Sequence, residues 1–252
     1  MIISFTIVCT VFAIQKPAMQ RPYVIGIDIG TGSVKALAVD FNLHAFASSQ
    51  QFYPPQESPT EQDAEAVFQS FLLCINDLVT KTCHSTSAIS LSAAMHSIMA
   101  IDKEGNPLTN AMLWSDTRSS EIADGLRKSE RGKRIYAATG TPLHSMSPLC
   151  KIKWMAQNKT KVFGQAFKFI SVKEYIWHKL FNEYKIDYSL ASATGLFDIL
   201  ALQWNDEALA FAGINSQQLS EPVATDYKQA NMNASFAKKM NISANTPVYI
   251  GA

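Results

Sequence analysis

The chain contains no C-x-x-C pair, no H-x-x-x-H pair, no long run of like charge and no G-K-[ST]. Its four cysteines, Cys9, Cys74, Cys83 and Cys150, are scattered, so their spacing suggests neither a zinc site nor a disulfide framework. A reducing, cytoplasmic setting fits that usage. Cys74 and Cys83 fall on or beside an apolar helical stripe, where a thiol behaves as a small hydrophobe. The formal net charge is +1, so binding driven mainly by counterion release from nucleic acid is not expected. The only long apolar run, MIISFTIVCTVFAI at residues 1–14, is shorter than the about 20 residues of a membrane span. As a signal peptide it lacks a basic start and a good cleavage site. Residues 1–18 are therefore read as an N-terminal extension, either an over-extended start before Met19 or a weak signal-like segment, and no membrane partner is expected.

What is present describes an ordinary folded chain. Of its 252 residues, 47% are hydrophobic and 17% charged. A chain of that size buries roughly 70% of its unfolded surface. Tyr23–Gly30 reads as a buried strand, followed across Thr31-Gly32 by Ser33–Asp40 and then by His44–Tyr53. Three strands joined by tight turns make an antiparallel meander. Apolar residues recur at three and four over Glu61–Thr82, predicting an amphipathic helix with Thr60 as its N-cap. Further strands are expected at Ala88–Ala94, Ile98–Asp102, Ala111–Trp114 and Phe167–Ile170. Helices are expected at Ser119–Ser129, Pro148–Asn158 (with Ser147 as cap) and Val172–Phe181. The run Pro247–Ile250 reads as a strand beginning near the end of the chain, with apolar surface left uncovered beside it.

The strongest chemical signal is Asp28-Ile29-Gly30-Thr31-Gly32-Ser33-Val34-Lys35. An acid ending a buried strand is costly unless charge or hydrogen bonds compensate it. The glycines of the following turn let backbone N–H groups approach an anion. Thr31 and Ser33 add hydroxyls and Lys35 a cation. A phosphate held there would leave Asp28 facing its magnesium ion, through water. A Rossmann loop is excluded, because Lys35 stands where its third glycine belongs and a strand follows. The bland alternative is a hairpin with a glycine turn and a capping aspartate.

This hairpin resembles the phosphate loop of the actin, hexokinase and Hsp70 superfamily, and in its wording the FGGY carbohydrate kinases. Further segments carry the same resemblance. Ala94-Met95-His96-Ser97 follows a strand, where site residues gather, and Leu113–Ser119 holds Trp114, Asp116 and Arg118. Met146–Asn158 fits the family's S-P-x-x-K-x-x-W signature, and Asp187–Asp198 its D-Y-[ST]-x-A-S block. Within the family the wording is most similar to gluconokinases. The resemblance implies an α/β, actin-like ATPase (ribonuclease H-like) domain: a mixed sheet starting with the three-stranded antiparallel meander and flanked by helices. It implies ATP and Mg2+ as cofactors, with Asp28, Gly30, Thr31, Gly32, Ser33 and Lys35 facing phosphate and Asp28 the metal. Met95, His96, Trp114, Asp116 and Arg118 would line the pocket for a small-molecule sugar or sugar acid, and Arg118 or Lys151 could meet a sugar acid's carboxylate.

The implied organisation is residues 19–245 as the family's N-terminal domain and 246–252 as the first strand of a missing C-terminal ATP-binding domain. The catalytic base would lie just beyond Ala252, so the chain alone is expected to be inactive. Two alternatives stay open: a non-catalytic sugar-acid-binding module, and a kinase for another polyol such as xylulose or glycerol.

Overall fold

Strand β1 (Tyr23–Ile29) buries every second side chain, Tyr23, Ile25, Ile27 and Ile29, and so presents one apolar face and one polar face. The computed structural model describes residues 22–82 and 85–251. The N-terminal extension, Met19, Cys9, Cys83 and the position expected for a catalytic base lie outside these.

Strands β2 (Ser33–Asp40) and β3 (Ala45–Phe52) complete the expected antiparallel meander. On its other side β1 pairs in parallel with β4 (Thr86–Ala93). Near the end of the described chain, β5 (Lys228–Gln229) and β6 (Val248–Tyr249) close the sheet. The order is β5-β6-β4-β1-β2-β3, with β6 parallel to β4. This is the mixed sheet that the actin-like resemblance implies. The strand expected near the end of the chain thus forms, and it pairs with β4 on one side and β5 on the other. Val248 and Ile250 are buried, so the apolar surface expected to lie open beside that strand is covered.

Helix α1 (Ala64–Thr82) packs its apolar stripe on β2 and β3. Sequence periodicity had it starting at Glu61 under a Thr60 cap. The cap is instead Asp63, whose carboxylate accepts from the N–H groups of Glu65 and Ala66. Glu61–Gln62 form a short strand paired with Ala111–Met112. The expected strand Ala111–Trp114 accordingly ends at Met112. Met99–Ile101 pairs with Lys168–Ile170.

The helix expected at Ser119–Ser129 is α2 (Ser120–Arg127), and a second helix not anticipated, α3 (Glu130–Thr139), follows. Helix α4 (Pro148–Asn158) starts on Pro148 as expected. Ser147 holds the cap position, but its hydroxyl donates to Thr194 O at 2.8 Å. After α5 (Thr160–Gln165), α6 (Val172–Phe181) opens with a capping box: Ser171 Oγ accepts from the Glu174 N–H and Glu174 accepts from the Ser171 N–H.

Two large apolar clusters result. One joins the inner sheet face to α1 and α6, and holds Cys74, Phe68, Phe71 and Trp177. The other gathers Met112, Leu126, Ile135, Leu149 and Ile152 around α4.

Two buried charges stand out on α6 and its neighbourhood. Lys173 Nζ donates to Asp187 Oδ2 at 2.7 Å and to Gly251 O at 3.2 Å. Burial pushes the fully enclosed Glu174 carboxyl from 4.5 up to about 7. In the unfolded chain Glu174 ionises at the lower value, so between the two pH values the folded state holds the extra proton. Its stabilising contribution is complete below pH 4.5 and is lost as pH rises through about 7. Glu174→Gln, which keeps an acceptor for Ser171, should flatten that limb of the stability curve and leave the chain about 2 kcal/mol more stable at pH 8. Urea unfolding at pH 5 and pH 8 measures this; parallel curves for the two proteins would contradict it.

Candidate functional site

The turn Gly30-Thr31-Gly32 joins β1 to β2, and the antiparallel register sets Asp28 directly opposite Lys35. Both are exposed on the outer face of the sheet. A shallow cleft of about 640 Å3 over that face is lined by Gly26, Asp28, Lys35, Leu37, Ser48 and Gln50 among others. Asp28 therefore borders open solvent, beside a cation. Thr31 and Gly32 are exposed at the tip, whereas Ser33 is buried and its Oγ accepts from Gln50 Nε2 at 3.0 Å.

The carbonyl groups of the turn are held from behind. Tyr53 OH donates to Gly30 O at 3.0 Å, and the Tyr53 N–H to Gly32 O at 3.2 Å. Gln62 Nε2 donates to Thr31 O at 2.6 Å and lies 3.5 Å from Gly30 O. Burial, helped by the charge of Asp28, pushes the Tyr53 phenol pKa up, so this hydroxyl keeps its proton as a donor.

Beyond β4 the Ala94 N–H donates to Ile29 O at 2.9 Å, carrying the chain alongside β1 to Met95 and His96. Because β1 and β4 are parallel, their carboxyl ends bring the Gly30-Thr31-Gly32 hairpin and the Met-His pair to the same end of the sheet. His96 has φ +69°, an uncommon conformation for a side-chain-bearing residue. Its Nδ1 lies 2.9 Å from Ala193 O. A carbonyl can only accept, so Nδ1 carries the proton and the neutral ring keeps its Nε2 lone pair for a ligand. Burial lowers the ring's pKa against the Ala193 bond, and the charges of Lys151 and His144 lower it further.

Lys151, on α4, is completely buried. Its Nζ donates to His96 O at 2.7 Å, to Leu113 O at 2.6 Å and, more weakly, to Met112 O at 3.4 Å. Burial pushes this ammonium down to about 7, while Asp116 pulls it back up. These contacts correct the expectation that Lys151 could meet a ligand carboxylate, because the backbone already takes its donors. What it does is hold the Met95-His96 turn to the Leu113-Trp114 turn.

Trp114 and Met95 are both exposed, so each offers an apolar face to solvent. Asp116 is buried and engaged: it accepts from the Arg118 N–H at 2.9 Å and from Arg118 Nε at 2.8 Å. Arg118 Nη2 bridges Asp116 and Glu61 at 2.5 Å each, and the guanidinium lies 4.8 Å from the Trp154 ring centre. Arg118 Nη1 makes none of these contacts, and Arg118 lines a cavity with Glu61, Met112 and Trp154.

The bonds thus connect the Gly30-Thr31-Gly32 hairpin, the Met-His turn and the Trp114–Arg118 turn. Glu61, Gln62 and Tyr53 were missed as site residues, and Lys151 was given a different role. Glu61 and Gln62 read as a helix start, because a two-residue strand has no periodicity of its own.

Residues 23–252 match the model of the FGGY family of carbohydrate kinases, N-terminal domain, and the chain belongs to that family. Among curated relatives, a gluconokinase of Bacillus subtilis is 40% identical over 234 residues, covering 91% of this chain and 46% of the relative. A xylulose kinase of Staphylococcus xylosus is 28% identical, over 91% of this chain and 48% of its own. The solved gluconate kinase of Lactobacillus acidophilus superposes with a TM-score of 0.87 at 32% identity, over 92% of this chain and 48% of that one. The chain spans about half the length of the curated relatives it matches.

Proposed function

We propose that this chain supplies the sugar-binding, phosphate-facing part of an ATP-dependent carbohydrate kinase, with gluconate as the favoured acceptor. The observation that carries the proposal is Asp28, exposed beside Lys35 over an open cleft, on a strand whose carboxyl end lies beside the one leading to His96, with Lys151 tying the His96 turn to the Trp114 turn. In this reading the exposed turn of Thr31 and Gly32 faces the terminal phosphates, with Lys35 adding positive charge. Asp28 faces the Mg2+ ion through water; that metal, when bound, would neutralise charge developing on the transferred phosphoryl group. Ser33 contributes less directly, since Gln50 covers its hydroxyl. Trp114 and Met95 stack against the C–H faces of the acceptor, and His96 Nε2 accepts from one of its hydroxyls. Arg118 Nη1 faces a sugar acid's carboxylate, while Asp116 and Glu61 fix the guanidinium plane.

The same proposal assigns the general base and most adenosine contacts to the part of the longer relatives that lies outside the match. A cytoplasmic setting belongs with it; among the described residues no helix is long and apolar enough to cross a membrane. Xylulose is the second reading of the acceptor. A ligand-bound xylulose kinase of Lactobacillus acidophilus matches at the same TM-score, 0.87, and the same 32% identity as the gluconate kinase.

Titrating the purified chain with gluconate, xylulose and glycerol, followed by tryptophan fluorescence, tests the acceptor site through the exposed Trp114. Gluconate should bind most tightly. Arg118→Ala should weaken gluconate by about tenfold, roughly 1.4 kcal/mol, and the neutral polyols by less than about twofold. Equal losses would remove Arg118 from the carboxylate role, and no response to any of the three would remove the sugar site itself.

A further inference from the structure

We propose that Gln62 is a positioning residue that turns the backbone N–H groups of the Gly30-Thr31-Gly32 hairpin outward to form an anion cradle; this rests on the kinase reading above. In a trans peptide the C=O and N–H of one unit point in opposite directions, and no cis bond occurs among the described residues. Fixing a carbonyl on one side therefore aims the next N–H at the other. Gln62 holds Thr31 O and so sets the Gly32 N–H. Tyr53 holds Gly30 O and Gly32 O, and so sets the N–H groups of Thr31 and Ser33. Successive N–H groups aimed to one side make a concave anion site without any cationic side chain.

Gln62 is suited to this task by its placement. It is buried, its backbone is locked by pairing with Ala111, and its amide faces two carbonyls of the same turn. Glu61 sits beside it on that short strand and projects to the other side, where it takes Arg118 Nη2. One two-residue strand thus sets the phosphate hairpin with one side chain and the carboxylate-facing arginine with the other. Any shift of this strand displaces both.

The test compares wild type, Gln62→Ala and Gln62→Glu. Three quantities are read: the amide NMR signals of Thr31 and Gly32, the affinity for Mg2+-pyrophosphate, and the affinity for gluconate. In Gln62→Ala the Thr31 and Gly32 signals should move or broaden. Pyrophosphate affinity should fall about tenfold, the worth of about one hydrogen bond that holds the cradle in shape, while gluconate affinity stays within about twofold.

Gln62→Glu keeps the shape and adds a titration. An ionised carboxylate has no proton to give Thr31 O, whereas a protonated one does, and burial against carbonyls raises its pKa. Relative to wild type at each pH, this variant should match the alanine variant at pH 8 and recover most of its pyrophosphate affinity near pH 5.5. A residue that merely filled space would show no such rescue.

Thr31 and Gly32 signals unchanged in Gln62→Ala would overturn the proposal. So would gluconate and pyrophosphate affinities falling in the same ratio, which marks a general loss of structure. Wild type binding gluconate without Mg2+-pyrophosphate would overturn the kinase reading of the hairpin and the cradle with it. That failure appears in the unmutated chain, and so is told apart from a failure of Gln62.

Discussion

Lys151→Met is expected to lower the melting temperature by about 10 °C and to abolish measurable gluconate binding. Methionine fills a similar volume, so the effect does not come from an empty cavity. It comes from His96 O and Leu113 O, which lose donors at 2.7 and 2.6 Å from a completely buried ammonium. Each buried carbonyl left without a partner costs about 1–3 kcal/mol. Two of them give roughly 4 kcal/mol, and a chain of this size loses about 2–4 °C for each. The functional loss follows from geometry, because the two turns that Lys151 holds together carry Met95, His96 and Trp114. Lys161, exposed on α5, is the control: its change to methionine should stay within about 0.5 kcal/mol. Calorimetry decides the matter, and a melting point for Lys151→Met within about 2 °C of wild type would mean that those carbonyls find other partners.

Asp28→Asn should act in the opposite manner, leaving stability nearly untouched and removing the metal response. The side chain is exposed and faces Lys35 across the ladder, so an isosteric amide disturbs no buried contact. What disappears is the charge that would attract a hydrated divalent ion. In wild type, Mg2+ should strengthen pyrophosphate binding by at least about tenfold, or 1.4 kcal/mol. In the variant that enhancement should vanish, while gluconate binds as before. Calorimetric titration with and without Mg2+ reads it directly. An enhancement that survives in Asp28→Asn would move the metal away from this carboxylate.

The parts of the fold legible in the sequence are those whose order is local. Ser33–Asp40 alternates buried and exposed residues, and Pro148–Asn158 and Val172–Phe181 repeat at helical spacing, so their ends fall where periodicity puts them. Helix α3 escaped notice because its stripe is thin: only Gly132, Ile135 and Thr139 are buried. Gly132 has no room for a side chain either, since a Cβ there would sit 1.9 Å from Leu126 O. Glu61–Gln62 was hidden for another reason. A two-residue strand is defined by its partner, Ala111–Met112, which is remote in the chain.

The site divides in the same way. Asp28, Gly30, Thr31 and Lys35 are neighbours in sequence and could be read as one device. The S-P-x-x-K-x-x-W signature drew attention to Lys151 without revealing its task, because what it touches is backbone. Main-chain carbonyls carry no sequence signature, and the same is true of the turn behind which Gln62 and Tyr53 sit. Ser33 shows the converse, a hydroxyl that spelling places at the phosphate and that Gln50 partly takes for itself.

The pairing of β6 with β4 has a consequence for how the protein comes into being. Ile89 and Ser90 receive their neighbours Val248 and Tyr249 only when the long stretch of chain between them has left the ribosome. Until then one side of β4 is a raw edge, with unpaired amides ready to recruit a strand from another nascent molecule. Synthesis paused before residue 248 should therefore yield aggregates and chaperone-bound chains, and emergence of residues 248–250 should be the moment at which this sheet becomes resistant to protease.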